Sequence, residues 1–196
     1  YIDAYKLVLG GSYILSGLFA YIAFSKIFSQ KGALVGAMLY TWAPYRFVDI
    51  YVRGAFGESF AFMFPPIILL GIHKRSFLLI TLGFVGLSLS HPVATALYTL
   101  LFFGYAGVYA YTSLRGKQGI AFLRTFVLGF LLAVSISAFN LLPTLALTQY
   151  THFSPKDSSP LQHFPTVRQL MKDSWGFGGS TIDDKDSMSF QIGYPQ

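Results

Sequence analysis

Cysteine is absent from the 196 residues, which excludes disulfides, thiolate metal sites and thiol catalysis. Charge is scarce too. Only 11% of the residues are Asp, Glu, Lys or Arg, where a soluble domain carries about 25%. A chain so poor in charge cannot cover a water-facing surface. Also missing are a basic, apolar and small-residue leader pattern at the start, a phosphate-binding glycine motif, zinc-ligand spacing, a nucleophile elbow and a heptad run. What the chain has in abundance is apolar and aromatic residues, at 54% and 18%. Mean hydropathy is +0.54. Lipid is the expected solvent, and the aromatic excess suits a protein with two membrane interfaces.

A bilayer core about 30 Å thick is crossed by about 20 apolar residues in a helix. Six apolar stretches stand out, at residues 5–25, 32–44, 59–72, 77–90, 93–112 and 120–142. They predict an all-α fold, a polytopic transmembrane bundle of about six membrane helices over residues 1–150. Residues 151–196 then form a polar extracytoplasmic loop leading into a truncated C-terminal region, with one short amphipathic helix near Thr166–Trp175. The second and fourth stretches are short for a crossing. Gly32 and Gly36 have the small-xxx-small spacing that lets helices approach closely. Pro65-Pro66 predicts a kink in the third helix. Tyr1 and the Tyr194-Pro195-Gln196 end read as cuts from a longer chain.

The loops alternate in charge. Lys26 and Lys31, then Lys74 and Arg75, then Arg115, Lys117 and Arg124 stand without acids. The intervening segments balance bases with acids or carry only His91-Pro92. The positive-inside rule places the purely basic loops in the cytoplasm and both ends of the chain outside, as in the plasma membrane of a prokaryote. The net charge of +6 is thus a set of topology signals. No basic face forms, so nucleic acid is not an expected partner; membrane lipids are.

The segment Tyr45–Glu58 concentrates both signs of charge. Arg46, Asp49 and Arg53 are spaced i, i+3, i+7, which places them on one face of a helix. Phe47, Ile50, Tyr51 and Val52 cover much of the rest, predicting an interfacial amphipathic helix. Gly54 and Gly57 permit a sharp turn, and Glu58 is predicted at the start of the next helix, where the dipole favours an acid. One reading is structural: a helix held by ion pairs and anchored by Trp42, Tyr45 and Tyr51. The other is a substrate site of Arg46, Asp49, Arg53, Glu58 and His91, converging on the outer face. Arginine's planar fork suits phosphate, so Arg46 and Arg53 are the candidate phosphate ligands. Asp49 is the candidate catalytic acid or base. No metal-ligand set is evident; a divalent metal enters only if an outer loop ahead of Tyr1 supplies further ligands. Asn140, near the end of its stretch, reads as an interhelical hydrogen-bonding group.

Ala43-Pro44-Tyr45-Arg46, followed by Asp49-Ile50-Tyr51-Val52-Arg53-Gly54-Ala55 and Glu58, resembles the family described as membrane protein, 6-pyruvoyl-tetrahydropterin synthase-related. Leu89-Ser90-His91, Phe139-Asn140-Leu141-Leu142-Pro143 and Asp186–Gly193 fit the same resemblance. Pterin synthesis is not supported, because its clustered zinc-binding histidines have no counterpart among four scattered His. The family is similar to multi-spanning C-type glycosyltransferases. The resemblance therefore implies a polyprenyl-phosphate-linked sugar used on the outer face, with an essential acid in a first outer loop that would precede Tyr1. A transporter or flippase of a lipid-linked substrate, and a non-catalytic membrane scaffold, are the competing classes. A transporter calls for polar groups along a path at mid-membrane, and the spans hold few.

The topology is checked by single-cysteine labelling of the full-length protein. Lys74→Cys and Lys117→Cys are expected to resist an impermeant thiol reagent added from outside; reaction at either would reverse the assigned sides.

Overall fold

A computed structural model describes residues 1–114 and 116–150. The tail from Thr151, with its expected short helix and the Asp186–Gly193 segment, lies outside the described residues, as does Arg115. The described chain is helical throughout: α1 Ile2–Phe24, α2 Gln30–Thr41, α3 Pro44–Val48 running into a π-helical turn Asp49–Arg53, α4 Phe56–Ala61, α5 Pro65–Lys74, α6 Phe77–Ser90, α7 Pro92–Ser113 and α8 Lys117–Leu147, ending in a 3₁₀ turn Thr148–Tyr150.

Local chemistry sets the boundaries. Ser29 and Ser76 cap α2 and α6 by accepting from the amides of Gly32 and Leu79. Prolines begin α3, α5 and α7, at the position where a missing N–H is not needed. The Pro65-Pro66 pair therefore starts a new helix instead of kinking a continuous one. Residues 62–64 turn between α4 and α5.

Four segments are long and apolar enough to cross a membrane: α1, Phe56–Lys74 (α4 and α5 together), α7 and α8. This fits an integral membrane protein. The outward faces agree: Leu97, Leu100 and Leu101 on α7 and Leu128 and Leu131 on α8 are exposed, large apolar side chains of the kind that face lipid. The second and fourth predicted spans are helices but fall short by length. The 12 residues of α2 and 14 of α6 rise about 18 and about 21 Å at about 1.5 Å per residue.

The two halves pack by different means. In α5–α8 the core is apolar: Ile68, Ile72, Ile80, Phe84, Leu87, Phe122 and Phe126 are buried together. Helix α6 is apolar on every side and packs against α5, α7 and α8. Gly83 lets α6 close on α5; a Cβ there would stand 2.5 Å from Ile68 Cγ1 and 3.1 Å from its backbone nitrogen. In the N-terminal half, Ser12, Ser16, Ala20 and Ala23 of α1 and Ala33 and Ala37 of α2 are the buried positions. Gly36 faces the Phe24 ring of α1, where a Cβ would come within 3.1 Å, whereas Gly32 is exposed and meets only Phe28 and Ser29; Ala33, Gly36 and Ala37 form the small face of α2. Small faces bring the backbones near enough for the side chains of α3 to reach across.

The Tyr45–Arg53 segment is helical, as α3 plus a π turn, with Arg46 and Asp49 turned inward and Arg53 outward. Arg46 and Asp49 have no exposed surface, while Tyr51 is 68% exposed. Gly54, left-handed at φ 64°, closes the turn. The amides of Gly54 and Ala55 both donate to Asp49 O. This wider winding is the physical reason that the i, i+3, i+7 rule for an α-helix does not carry through to Arg53.

Candidate functional site

Arg46 is fixed from three elements. Its Nη1 donates to Ser16 Oγ of α1, and its Nη2 donates to Ser59 O of α4 at 3.2 Å. Ser16 Oγ in turn donates to Tyr13 O at 3.0 Å. The guanidinium lies 3.9 Å over the Tyr13 ring and 5.2 Å from the Phe62 ring centroid, where the negative aromatic faces offset part of the lost hydration. Burial lowers the pKa of Arg46, and the neighbouring Tyr13, Tyr40 and Asp49 work against that. An arginine remains charged under such pressure.

One turn on, Asp49 is also enclosed. Its Oδ1 accepts from Arg53 Nη1 at 2.8 Å, while Oδ2 is buried with no partner among the described residues. Burial, and then the charge of Glu58, push the Asp49 carboxyl up to about 7; Arg53 and Arg46 oppose the rise. Near neutral pH this side chain exchanges between acid and carboxylate.

Arg53 is the outward-facing member, with its side chain 39% exposed. Its Nη1 alone makes three contacts: Asp49 at 2.8 Å, Tyr45 Oη at 2.7 Å and Glu58 Oε2 at 3.2 Å. Tyr45 donates onward to Glu58 Oε1 at 2.6 Å. Burial and the hydrogen bond to Glu58 raise the Tyr45 pKa well above its usual value, so the phenol stays a donor. Two hydrogens on Nη1 thus serve three acceptors. Nη2 and Nε of Arg53 have no hydrogen-bond partner among the described residues. The guanidinium is oriented along one edge and open along the other, which is the arrangement that receives a two-oxygen anion.

The five residues predicted to converge fall into three places. Asp49, Arg53 and Glu58 form one ion network. Arg46 lies behind it, committed to Ser16 and Ser59, with no surface from which to hold a phosphate. The single phosphate-holding role expected of the two arginines is therefore divided: Arg46 ties helices and Arg53 faces out. His91 caps α7; its Nδ1 accepts from the Ala94 amide at 3.1 Å. No hydrogen bond or ion pair among the described residues joins it to the network. It is a near neighbour in the fold, since the Ser90 carbonyl sits 2.8 Å from where a Cβ on Gly57 would be. Tyr13, Ser16 and Ser59 escaped the reading of the sequence, and Tyr45 was seen there only as an anchor. The one signal for the first two was a small polar pair, Ser12 and Ser16, inside an apolar span. Among the described residues no group of three His, Asp or Glu is placed to hold a metal.

Compared with family models, with curated proteins and with solved structures, the chain matches none.

A carboxyl held near 7 in the fold and near 3.8 when unfolded binds more protons folded than unfolded between those values. Stability therefore falls as pH rises from about 4 to about 7 and levels off above. Thermal midpoints of the full-length protein measured across that range are expected to show this slope, and Asp49→Asn is expected to flatten it; an unchanged slope in the variant would remove Asp49 as its source.

Proposed function

We propose that this chain is part of a polytopic membrane protein of the 6-pyruvoyl-tetrahydropterin synthase-related family, glycosyltransferase-like, which uses a polyprenyl-phosphate-linked sugar on the outer face of a prokaryotic plasma membrane. In this reading the bundle has about six membrane segments, α2 and α6 being completed by their neighbours. Both ends of the chain are extracytoplasmic, and α3 with its π turn lies at the interface with Trp42 and Tyr51 outward.

The observation that carries the proposal is the open edge of Arg53. Three oxygens hold Nη1, leaving Nε and Nη2 preset for a phosphate at a partly exposed position. Glu58, at 3.2 Å, makes the longest of the three contacts on Nη1, and a phosphate on the free edge leaves it in place. Asp49 orients Arg53 and, when ionised, is the nearest candidate base; a divalent metal joins it only if residues outside this chain supply ligands. His91 borders the site. Arg46 supports the constellation from behind.

The transporter or flippase reading draws on a separate observation. Tyr13 Oη, Arg46 Nε, Asp49 Oδ2 and Ser59 Oγ are all buried without partners among the described residues. Such groups commonly hold ordered water, and an enclosed hydrated ionisable group suits a translocation path.

A charge-assisted bond to phosphate contributes roughly 1.5–3 kcal/mol. Arg53→Ala in the full-length protein is therefore expected to weaken binding of a prenyl phosphate by about tenfold or more. Arg53→Lys, which keeps the charge but loses the fork, is expected to fall between. Equal affinity in all three proteins would leave this arginine a purely structural role.

A further inference from the structure

Arg53 Nη1 stands between two carboxylates, Asp49 Oδ1 at 2.8 Å and Glu58 Oε2 at 3.2 Å. Those oxygens therefore lie within about 6 Å of each other, close enough that ionising one opposes ionising the other. The two carboxylates are unequal. Asp49 has no exposed surface, while the Glu58 side chain is 16% exposed. Glu58 accepts from both Arg53 and Tyr45 Oη. The Asp49 carboxylate accepts from Arg53 alone, and its Oδ2 has no partner among the described residues. A proton entering the pair settles on Asp49. Tyr13 Oη and Ser59 Oγ, of the two residues that enclose Arg46, are buried and unpartnered acceptors for it. The Asp49 carboxyl, pushed up to about 7 by burial and then by Glu58, agrees with that order. The other titratable groups near Asp49 are Arg46 and Tyr45 from its own stretch and Tyr13 from α1. Tyr40 of α2 and Tyr98 of α7 lie near Arg46.

Losing the Asp49 charge changes what Arg53 is offered. Nη1 has two hydrogens for three acceptors. A neutral Asp49 is the weakest of the three, since an ionised acceptor bonds about twice as strongly as a neutral one and Tyr45 is itself polarised by its bond to Glu58. The Asp49 backbone is pinned meanwhile. Its carbonyl accepts from the amides of Gly54 and Ala55, and Gly54 holds the left-handed turn. What is free to move is the Arg53 side chain. We propose that Asp49, Arg53 and Glu58 form a proton-operated switch: a proton on Asp49 hands Arg53 over to Glu58 and Tyr45, and loss of that proton draws the guanidinium back to the enclosed carboxylate. The charges of Arg46, Asp49, Arg53 and Glu58 balance when both acids are ionised. With Asp49 protonated the group carries one net positive charge, so acidification makes the outward face more cationic. The inference does not use the phosphate reading of Arg53 and holds for whatever that arginine meets.

The test uses the full-length protein in nanodiscs between about pH 5 and about pH 8, either side of the Asp49 value. Infrared difference spectra read the C=O stretch of a protonated carboxyl. Phenylglyoxal labelling, mapped by mass spectrometry, reads the freedom of Arg53. At each pH the labelling is divided by that of Asp49→Asn, a neutral isostere fixed in the handed-over state, which cancels the reagent's own pH dependence. The wild type is expected to match the variant near the acid end and to fall to less than half of it near the alkaline end, Arg53 being 39% exposed when held by Asp49. The acid band is expected to fade over the same range and to be missing from the Asp49→Asn spectra. Glu58→Gln removes the second carboxylate; it keeps the band and is expected to move its midpoint down by about one pH unit. This last comparison decides the matter even if Asp49→Asn fails to fold. No titrating band in the wild type, a midpoint unmoved by Glu58→Gln, or a titrating band with Arg53 labelling that does not follow it would each overturn the proposal.

Discussion

The Arg46 guanidinium sits with no exposed surface at the meeting point of α1, α3 and α4, bonded to Ser16 and to the Ser59 carbonyl and stacked on Tyr13. Removing a charge from water costs several kcal/mol unless partners compensate, so this side chain tolerates few arrangements of the three helices. The partners come from two other helices: α1 supplies the ring and a hydroxyl, and α4 a backbone carbonyl. With Arg46 so placed, the next turn of α3 sets Asp49 inside and Arg53 outside. The outward site is in this sense a product of the inward clamp. Were Arg46 to swing out, Asp49 would lose the structure that encloses it, and Arg53 would lose the carboxylate that orients it.

The remaining bundle has a core of its own. Helices α5 to α8 share an apolar core with close approaches at Gly71 and Gly83. A membrane gives little hydrophobic incentive for helices to associate, so close packing of small and aromatic residues carries more of the load. The T-shaped contacts of Phe84 with Phe102, Phe126 and Phe130 illustrate it, with centroids 6.3, 5.9 and 5.1 Å apart. The apolar half presents α7 as a wall. The polar half sets Tyr45 and Glu58 opposite it.

Much of this was legible in the residues. Apolar runs bounded by lysines located the helices closely, because the bilayer leaves no other way to satisfy a backbone in lipid. Segment 45–58 was visible as the one place where both signs of charge crowd apolar spans, and the Asp49, Arg53 and Glu58 grouping follows from it. Three features were hidden. The inward direction of Arg46 depends on Tyr13 and Ser16, 33 and 30 positions earlier, and a lone serine in an apolar helix carries no mark of its partner. The π turn reflects closure at Gly54, and periodicity arguments presume an α-helix. The shortness of α2 and α6 was readable as length; which of the apolar stretches suffices to cross depends on where caps and prolines end each helix.

The most direct measurement is the reversible unfolding of the full-length protein in bicelles, comparing Arg46→Ala with Arg53→Ala. If the buried guanidinium organises the N-terminal half, Arg46→Ala loses about 3 kcal/mol or more. Arg53→Ala, on a partly exposed side chain whose carboxylate partner is readily protonated, loses about 1 kcal/mol or less. Equal losses, or a greater loss at Arg53, would contradict the account.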